Sequence, residues 1–296
     1  MTTYRQIFQR TIIVGLCVLT LSRSVVLLDE PSQVVRAYTR NIEFDYAAWI
    51  FNAFGVKADQ LALDTPRYMT DMQQHDLVIE YLGLLRQSMD LENQIRVVLA
   101  DPNQDDPTAA SAPLQDSLTN IQTQLDGIAP LAETILQEQI SAVVSDFGLS
   151  LEGQPLPPTL YHATPLPMAL IISPRQVIRQ DANISLEVDL SVTEVSALET
   201  RIESNEDVSA LVVPIGGVGV YPTMVIESTD LTWLLQTISH EWVHNYLTLR
   251  PLGMNYDTTP ELRTMNETTA SIAGDEIGSA VIARYYPELA PPPAPE

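Results

Sequence analysis

Cysteine is nearly missing from the sequence, and its scarcity excludes several kinds of site. The only cysteine among the 296 residues is Cys17, which lies in an apolar run near the N-terminus. Because disulfides and thiolate zinc sites need more than one cysteine, no disulfide framework or cysteine-based zinc finger is possible beyond residue 17. A cysteine nucleophile is excluded there as well. Any site in the rest of the chain therefore depends on other side chains.

Positive charge is also scarce. Lys57 is the only lysine, and 15 basic residues stand against 38 acidic ones, so that the formal net charge is −23. Such a chain repels nucleic acid, because the phosphates carry charge of the same sign. Anionic lipid surfaces are disfavoured for the same reason. The composition fits a soluble domain that stays dispersed, and it argues against a nucleic-acid-binding protein.

The N-terminal segment, residues 1–29, predicts export. It opens with Arg5 and Arg10 and no acidic residue, and an apolar run follows over residues 11–21. Basic residues before such a run predict an N-terminus in the cytoplasm and the remainder outside. The run alone is short for a membrane span and suits a signal peptide, whereas residues 7–28 together are long enough to span. We expect an extracytoplasmic protein that is membrane-anchored by this segment, with secretion after signal cleavage as the alternative.

Residues 30–151 have the pattern of a helical region. Apolar residues recur at three- and four-residue spacing, which is typical of amphipathic helices. We expect one helix to stop at Gly55 and another to break near Gly127 and Pro130, since glycine and proline disfavour helix interiors. We interpret the region as a small helical unit, either packed on a catalytic domain or acting as a spacer.

The pattern changes at the proline-rich stretch over residues 152–167, which indicates a domain boundary. Strand-like segments follow, namely MALIIS, ISLEVDLSV and ALVVPI. The sequence therefore predicts an α+β protein. Its predicted parts are the helical region, a second domain over residues 152–290 and a proline-rich tail over residues 291–296.

The stretch TISHEWVHNYL, residues 237–247, carries the strongest chemical signal. His240 and His244, two of only four histidines, lie four residues apart on a predicted helix, so that both imidazoles emerge on one side. That spacing allows two ring nitrogens to bind one zinc ion. Glu241 is displaced by about 100° around the helix, where it can reach a water bound to the ion. The alternative is a pair of partly exposed helix histidines.

A catalytic zinc site usually takes three protein ligands. No third histidine follows in the HExxHxxGxxH spacing, and Leu247 occupies its glycine position. His75 and His162 have no supporting pattern. A carboxylate is the remaining option, and Glu267 can supply it if its predicted helix packs beside the first. Glu276 on the same helix is the alternative third ligand.

At these residues the chain resembles the gluzincins, which are the thermolysin-like and aminopeptidase-like zinc peptidases. Their third ligand is a glutamate in an N-E-x-x-[SA] pattern on the helix after HExxH, and NETTAS, residues 266–271, is similar to it. The resemblance covers about residues 210–285. It implies a zincin-like domain with a small sheet and two metal-bearing helices, and zinc on His240, His244 and Glu267.

The resemblance also points to residues around the ligands. Thermolysin-like enzymes have an aspartate one turn after the glutamate ligand, where this chain has Ser271. Asp275, one turn further on, is an alternative support for a metal-bound histidine, and Asn266 adjoins the ligand itself. The oxyanion stabiliser of the group is often a later tyrosine or histidine. The candidates here are Tyr256, Tyr285 and Tyr286.

Gluzincins place an edge strand above the metal, where an extended substrate pairs with it. The segment before the metal helix is in the right order to supply this strand, and its glycines would let a substrate backbone come near. A plain hairpin is the alternative. The candidate residues are Gly216, Gly217, Val218 and Gly219.

These patterns predict an exported, membrane-anchored zinc metallopeptidase that hydrolyses peptide or protein substrates, with Glu241 as the general base. The alternatives are a zinc-binding pseudoenzyme or scaffold module of the cell envelope, a structural protein with a fortuitous HExxH, and a zinc hydrolase of non-peptide amides. The sequence does not distinguish the last from a peptidase, since both would use the same residues.

Overall fold

The computed structural model describes residues 31–63, 65–177 and 179–290. The predicted signal or anchor, residues 1–29, and the proline-rich tail, residues 291–296, lie outside the described residues. Within the described part of the chain, no helix combines the length and the apolar character that a membrane crossing requires.

Helices dominate the described chain. The helices are α1 (Pro31–Thr39), α2 (Tyr46–Leu63), α3 (Asp71–Ala100), α4 (Pro107–Asp146), α5 (Val192–Asn205), α6 (Leu231–Thr248), α7 (Pro251–Met254) and α8 (Pro260–Tyr285), with 3-10 turns at Thr65–Tyr68 and Pro287–Leu289. The strands are β1 (Ser150–Leu151), β2 (Gln154–Pro155), β3 (Tyr161–Ala163), β4 (Met168–Pro174), β5 (Ala182–Leu186), β6 (Val208–Val213), β7 (Gly217–Val218) and β8 (Thr223–Val225). The prediction of an α+β protein with a helical N-terminal region is confirmed.

The chain divides into two compact units that each combine separate stretches of sequence. Among the described residues, the first unit takes its members from 31–44 and 167–214, and the second from 45–166 and 215–290. The domain boundary predicted between residues 151 and 152 falls inside the second unit. The helical region therefore does not stand alone, because most of it shares one unit with the HExxH helix.

The first unit is built on an antiparallel sheet with the strand order β5-β4-β6. Leu170 at its centre faces Ile184 on one side and Val212 on the other. Apolar residues of α1 and α5, among them Val35 and Ile202, complete its core. Helix α5 begins at a capping box, in which the Ser191 hydroxyl and the Glu194 carboxylate each accept a backbone hydrogen bond from the other residue.

The second unit joins α3 and α4 to α6 and α8 around one larger apolar core. A small sheet with the order β3-β8-β7 lies in the same unit, β3 parallel and β7 antiparallel to β8. Strand β7 is thus an edge strand, and it forms a hairpin with β8. The pair β1–β2 makes a separate two-stranded sheet.

Two predicted helix interruptions are wrong. Helix α2 continues through Gly55, which costs about 1 kcal/mol relative to alanine, because Ala53 and Lys57 are buried on either side of it. Helix α4 continues through Gly127 and Pro130. The turns after Pro130 are almost entirely buried, so tertiary packing outweighs the cost of the missing backbone donor.

Candidate metal centre

Helices α6 and α8 approach each other closely because small residues face the contact. A Cβ atom on Gly274 would lie 2.8 Å from the backbone nitrogen of His240, and one on Gly278 would lie 2.8 Å from the backbone nitrogen of Gln236. Any larger residue would push the backbones apart. This close packing brings Glu267 on α8 to the histidine-bearing face of α6.

His240, His244 and Glu267 present three ligand atoms to one point. The two Nε2 atoms are 3.1 Å apart, and Glu267 Oε2 lies 3.6 Å from Nε2 of His240 and 3.5 Å from Nε2 of His244. Ligands at 2.0–2.1 Å around a tetrahedral zinc ion are separated by about 3.3 Å. The three atoms therefore match one face of a coordination tetrahedron, and the opposite vertex is left for a water or substrate.

Asn266 fixes the orientation of one histidine. Its Oδ1 lies 2.8 Å from His244 Nδ1 and can only accept, so this nitrogen carries the hydrogen. The amide is held in turn, since its Nδ2 donates to the carbonyl oxygen of Leu252 at 3.4 Å. Nε2 of His244 is then left with a lone pair that points at the common centre. On His240, the Ser271 hydroxyl lies 3.5 Å from Nδ1, a weaker contact.

The charges of the cluster favour a cation at its centre. Contact with His240 and His244 holds the pKa of the Glu267 carboxyl well below its ordinary value. Burial opposes a charge on His244, but the hydrogen bond and charge of Glu267 outweigh it and raise the pKa of that imidazole. Two facing imidazole nitrogens beside a carboxylate repel unless a proton or a metal ion lies between them. The donor set of two imidazoles and one carboxylate is one that catalytic zinc uses.

Glu241 does not belong to the ligand cluster and lies against strand β7. Its carboxyl group is largely buried, and burial raises its pKa. A Cβ atom on Gly217 would come within 2.7 Å of Glu241 Oε1, and one on Gly219 would lie 3.1 Å from the Cβ of His244. Residues 217–219 can lie this close to α6 only because positions 217 and 219 are glycine.

A cleft of about 470 Å³ runs beside this strand. Its lining combines one wall from the strand segment, a floor from α6 and a second wall from α8. The lining residues are Ile215, Gly216, Gly217, Trp233, Gln236, Thr237, His240, Glu241, Ser271 and Asp275. Of the four edge-strand candidates, Gly216 and Gly217 line the cleft, Gly219 lies over His244, and Val218 pairs with Met224 of β8.

Of the three tyrosine candidates, only Tyr256 lies at the cluster. Its hydroxyl donates to Glu267 Oε1 at 2.5 Å, and its ring stands perpendicular to that of His244, with centroids 6.1 Å apart. Burial and the neighbouring carboxylate raise the pKa of its phenol. Tyr286 is buried in the core and donates to Gln139, and Tyr285 contacts Arg284.

The remaining candidates are not part of the ligand cluster. Asp275 lines the cleft but makes no hydrogen bond to His240 in the described part of the chain. Glu276 joins neither the ligand cluster nor the cleft lining. His75 contacts Asp76 and Glu288, and His162 contacts Glu133.

Sequence reasoning missed two kinds of residue at the centre. The cleft is lined by Trp233, Gln236 and Thr237. Their spacing to His240 and His244 places them on the same face of α6, so the helical period is the signal that could have identified them. Asn245 donates to the carbonyl oxygen of Val220 at 3.0 Å and so holds the hairpin turn against α6. No sequence signal marks that contact.

Comparisons with known proteins name no relative. Neither the protein-family models nor the curated proteins nor the solved structures include a match to the chain. What the centre does must therefore be inferred from its own residues.

Proposed function

We propose that the chain is a zinc metallopeptidase of the gluzincin type, exported and anchored by its N-terminal segment. The observation that carries the proposal is the triangle of Nε2, Nε2 and Oε2 atoms with separations of 3.1, 3.5 and 3.6 Å. It offers three ligands and an open fourth position, which is the arrangement of a catalytic rather than a structural zinc site. When bound there, zinc would supply Lewis acidity that polarises a carbonyl group and lowers the pKa of a water.

Glu241 is the group that moves the proton. It follows the ligand His240 directly and lies between α6 and β7, beside the ligand cluster rather than in it. In the proposal its carboxylate takes a proton from the attacking water and passes it to the nitrogen of the leaving amine. The water oxygen adds to the carbonyl carbon, the C–N bond breaks, and the transferred proton leaves on the amine.

In this proposal, the backbone of strand β7 binds the substrate. As an edge strand it has unpaired backbone donors and acceptors on the side away from β8. An extended peptide can pair with them and so bring its scissile carbonyl over the centre. The Tyr256 hydroxyl, at the Glu267 carboxylate, is the donor best placed to turn toward the oxygen that gains charge during attack.

The test is to measure zinc per chain together with hydrolysis of a peptide library. It uses the purified full-length chain in detergent and its variants Glu241→Gln, Glu267→Ala and Glu276→Gln. We expect one zinc and hydrolysis in the parent and in Glu276→Gln. Glu241→Gln should keep its zinc and lose turnover by at least about 100-fold, and Glu267→Ala should lose zinc.

Three results would contradict parts of the proposal. Stoichiometric zinc with no hydrolysis of any peptide would leave a metal-binding scaffold module. No zinc after reconstitution would reduce the HExxH to a coincidence of sequence. Turnover confined to non-peptide amides would keep the centre and change the substrate.

A further inference from the structure

The cleft extends from His240 and Glu241 toward the first turns of α6. Trp233, Gln236 and Thr237 lie on this side of His240, and Asp275 lies on the opposite wall, on α8. Asp275 is four residues beyond Ser271, whose hydroxyl touches His240, and four residues advance a helix by about 6 Å. A side chain that starts at the centre must therefore be long to reach it.

Asp275 carries a negative charge that nothing else in the described chain satisfies. It is exposed and has no hydrogen-bond or ion-pair partner among the described residues. Glu241, the other acidic residue of the cleft lining, lies on α6 beside the ligand cluster. The far end of the cleft is thus an acidic end with a free carboxylate.

Trp233 supplies an apolar, aromatic surface to the lining of the same cleft. The residue is 37% exposed, and its ring lies so close to the segment before β7 that a Cβ atom on Gly216 would be 3.0 Å from it. Aromatic faces attract cations, and indole does so best. The methylene stems of lysine and arginine also pack on apolar surface while their charged ends stay polar.

From this combination we propose that the cleft receives the side chain of a lysine or arginine next to the scissile bond, with its stem on Trp233 and its charge on Asp275. The proposal rests on the proposed peptidase function. The substrates would then be polypeptides that are cleaved beside a basic residue. The net charge of −23 attracts cationic chains in general, so the contribution of the single carboxylate must be separated from it.

The test compares kcat/KM for blocked peptides that differ at one position flanking the scissile bond, with arginine, lysine, leucine or glutamate there. Asp275→Asn is compared with the parent, with Asp275→Glu, and with Glu276→Gln, which removes the same unit of charge on the same helix outside the cleft. The arginine-to-leucine ratio should fall about five-fold in Asp275→Asn, as for one partly exposed ion pair. It should persist in Asp275→Glu and in Glu276→Gln.

A binding measurement separates recognition from turnover. In the Glu241→Gln variant, calorimetric titration with the arginine peptide should show tighter binding than with the leucine peptide, and Asp275→Asn should remove that difference. Hydrolysis with no preference for basic residues, or an equal fall in the ratio in Glu276→Gln, would overturn the assignment while leaving the peptidase intact. A preference seen only with free amino termini would overturn it too, since Asp275 would then bind the terminus. Failure of the proposed function itself would appear as no hydrolysis of any peptide.

Discussion

Replacing Gly274 with alanine tests how the α6–α8 contact shapes the metal centre. The added Cβ atom would lie 2.8 Å from the backbone nitrogen of His240, 2.9 Å from its Cα and 3.0 Å from the carbonyl oxygen of Gln236. All three are backbone atoms, so no side chain can rotate away. The two helices must separate by roughly half an ångström to restore normal contact.

The separation has a cost in stability and a cost in metal binding. Overpacking of this kind costs about 1–3 kcal/mol, and the higher helix propensity of alanine offsets about 1 kcal/mol of it. The free energy of unfolding should fall by about 1 kcal/mol. Metal sites tolerate ligand displacements of only about 0.2 Å, and Glu267 lies two turns from Gly274 on the same helix. Zinc affinity should therefore fall by about ten-fold or more.

The matched control is Gly83→Ala on α3, where nothing lies within 4 Å of the added Cβ atom. There the only expected effect is a gain of about 0.5–1 kcal/mol from helix propensity. Urea unfolding measures both stabilities, and competition with a chelator measures zinc affinity. Unchanged zinc affinity in Gly274→Ala, or stabilisation equal to that of Gly83→Ala, would refute the idea that the helix contact holds the ligands in place.

Three further predictions concern hydrogen bonds and charges. Asn266→Ala should lower zinc affinity about 10–100-fold, because the His244 ring loses its orienting acceptor. The control Asn245→Ala should leave zinc affinity unchanged. Equal losses in both variants, measured by competition with a chelator, would show that the amide contact to His244 has no special role. Lys57→Met should lower the free energy of unfolding by about 3–5 kcal/mol, because Glu133 keeps a buried charge without its cation, and adding Glu133→Leu should recover most of the loss. Burial favours a neutral Glu133, yet the hydrogen bond from His162 and the charge of Lys57 lower the pKa of its carboxyl group from 4.5 to about 2. A lowered carboxyl pKa gives stability that is present above pH 4.5 and is lost as the pH falls toward 2. Urea unfolding of the parent should show this loss, and a flat profile in that window would contradict it.

The sequence sufficed for the part of the centre that depends on one helix. His240 and His244 are one turn apart because the helical period places them so, and Asp230 caps the helix at its start. Glu267 could not be assigned in this way, because it lies on α8 and helical spacing says nothing about which helices pack together. The resemblance to gluzincins predicts it as a ligand, and the structure brings its carboxylate within 3.6 Å of both histidines.

Other features depend on packing that no local pattern contains. Lys57 is the only lysine, and lysines are mostly exposed in proteins. Here it is 1% exposed and pairs with Glu133 on α4. The helix through Pro130 persists because the following turns enter the core. The two units each combine distant stretches of chain, and a linear pass along the sequence sees only adjacent ones.

The structure gives the helical region a physical role at the metal centre. Helix α6 has two faces: one carries the histidines and the cleft lining, and the other buries Leu234, Leu235, Ile238 and Trp242. The buried face belongs to the same core as α3 and α4. Trp242 also donates its indole hydrogen to the carbonyl oxygen of Pro157 at 2.9 Å. The long N-terminal helices thus bury the rear of α6. Its front can then present His240, Glu241 and His244, whose polar groups would be costly on a helix without such support.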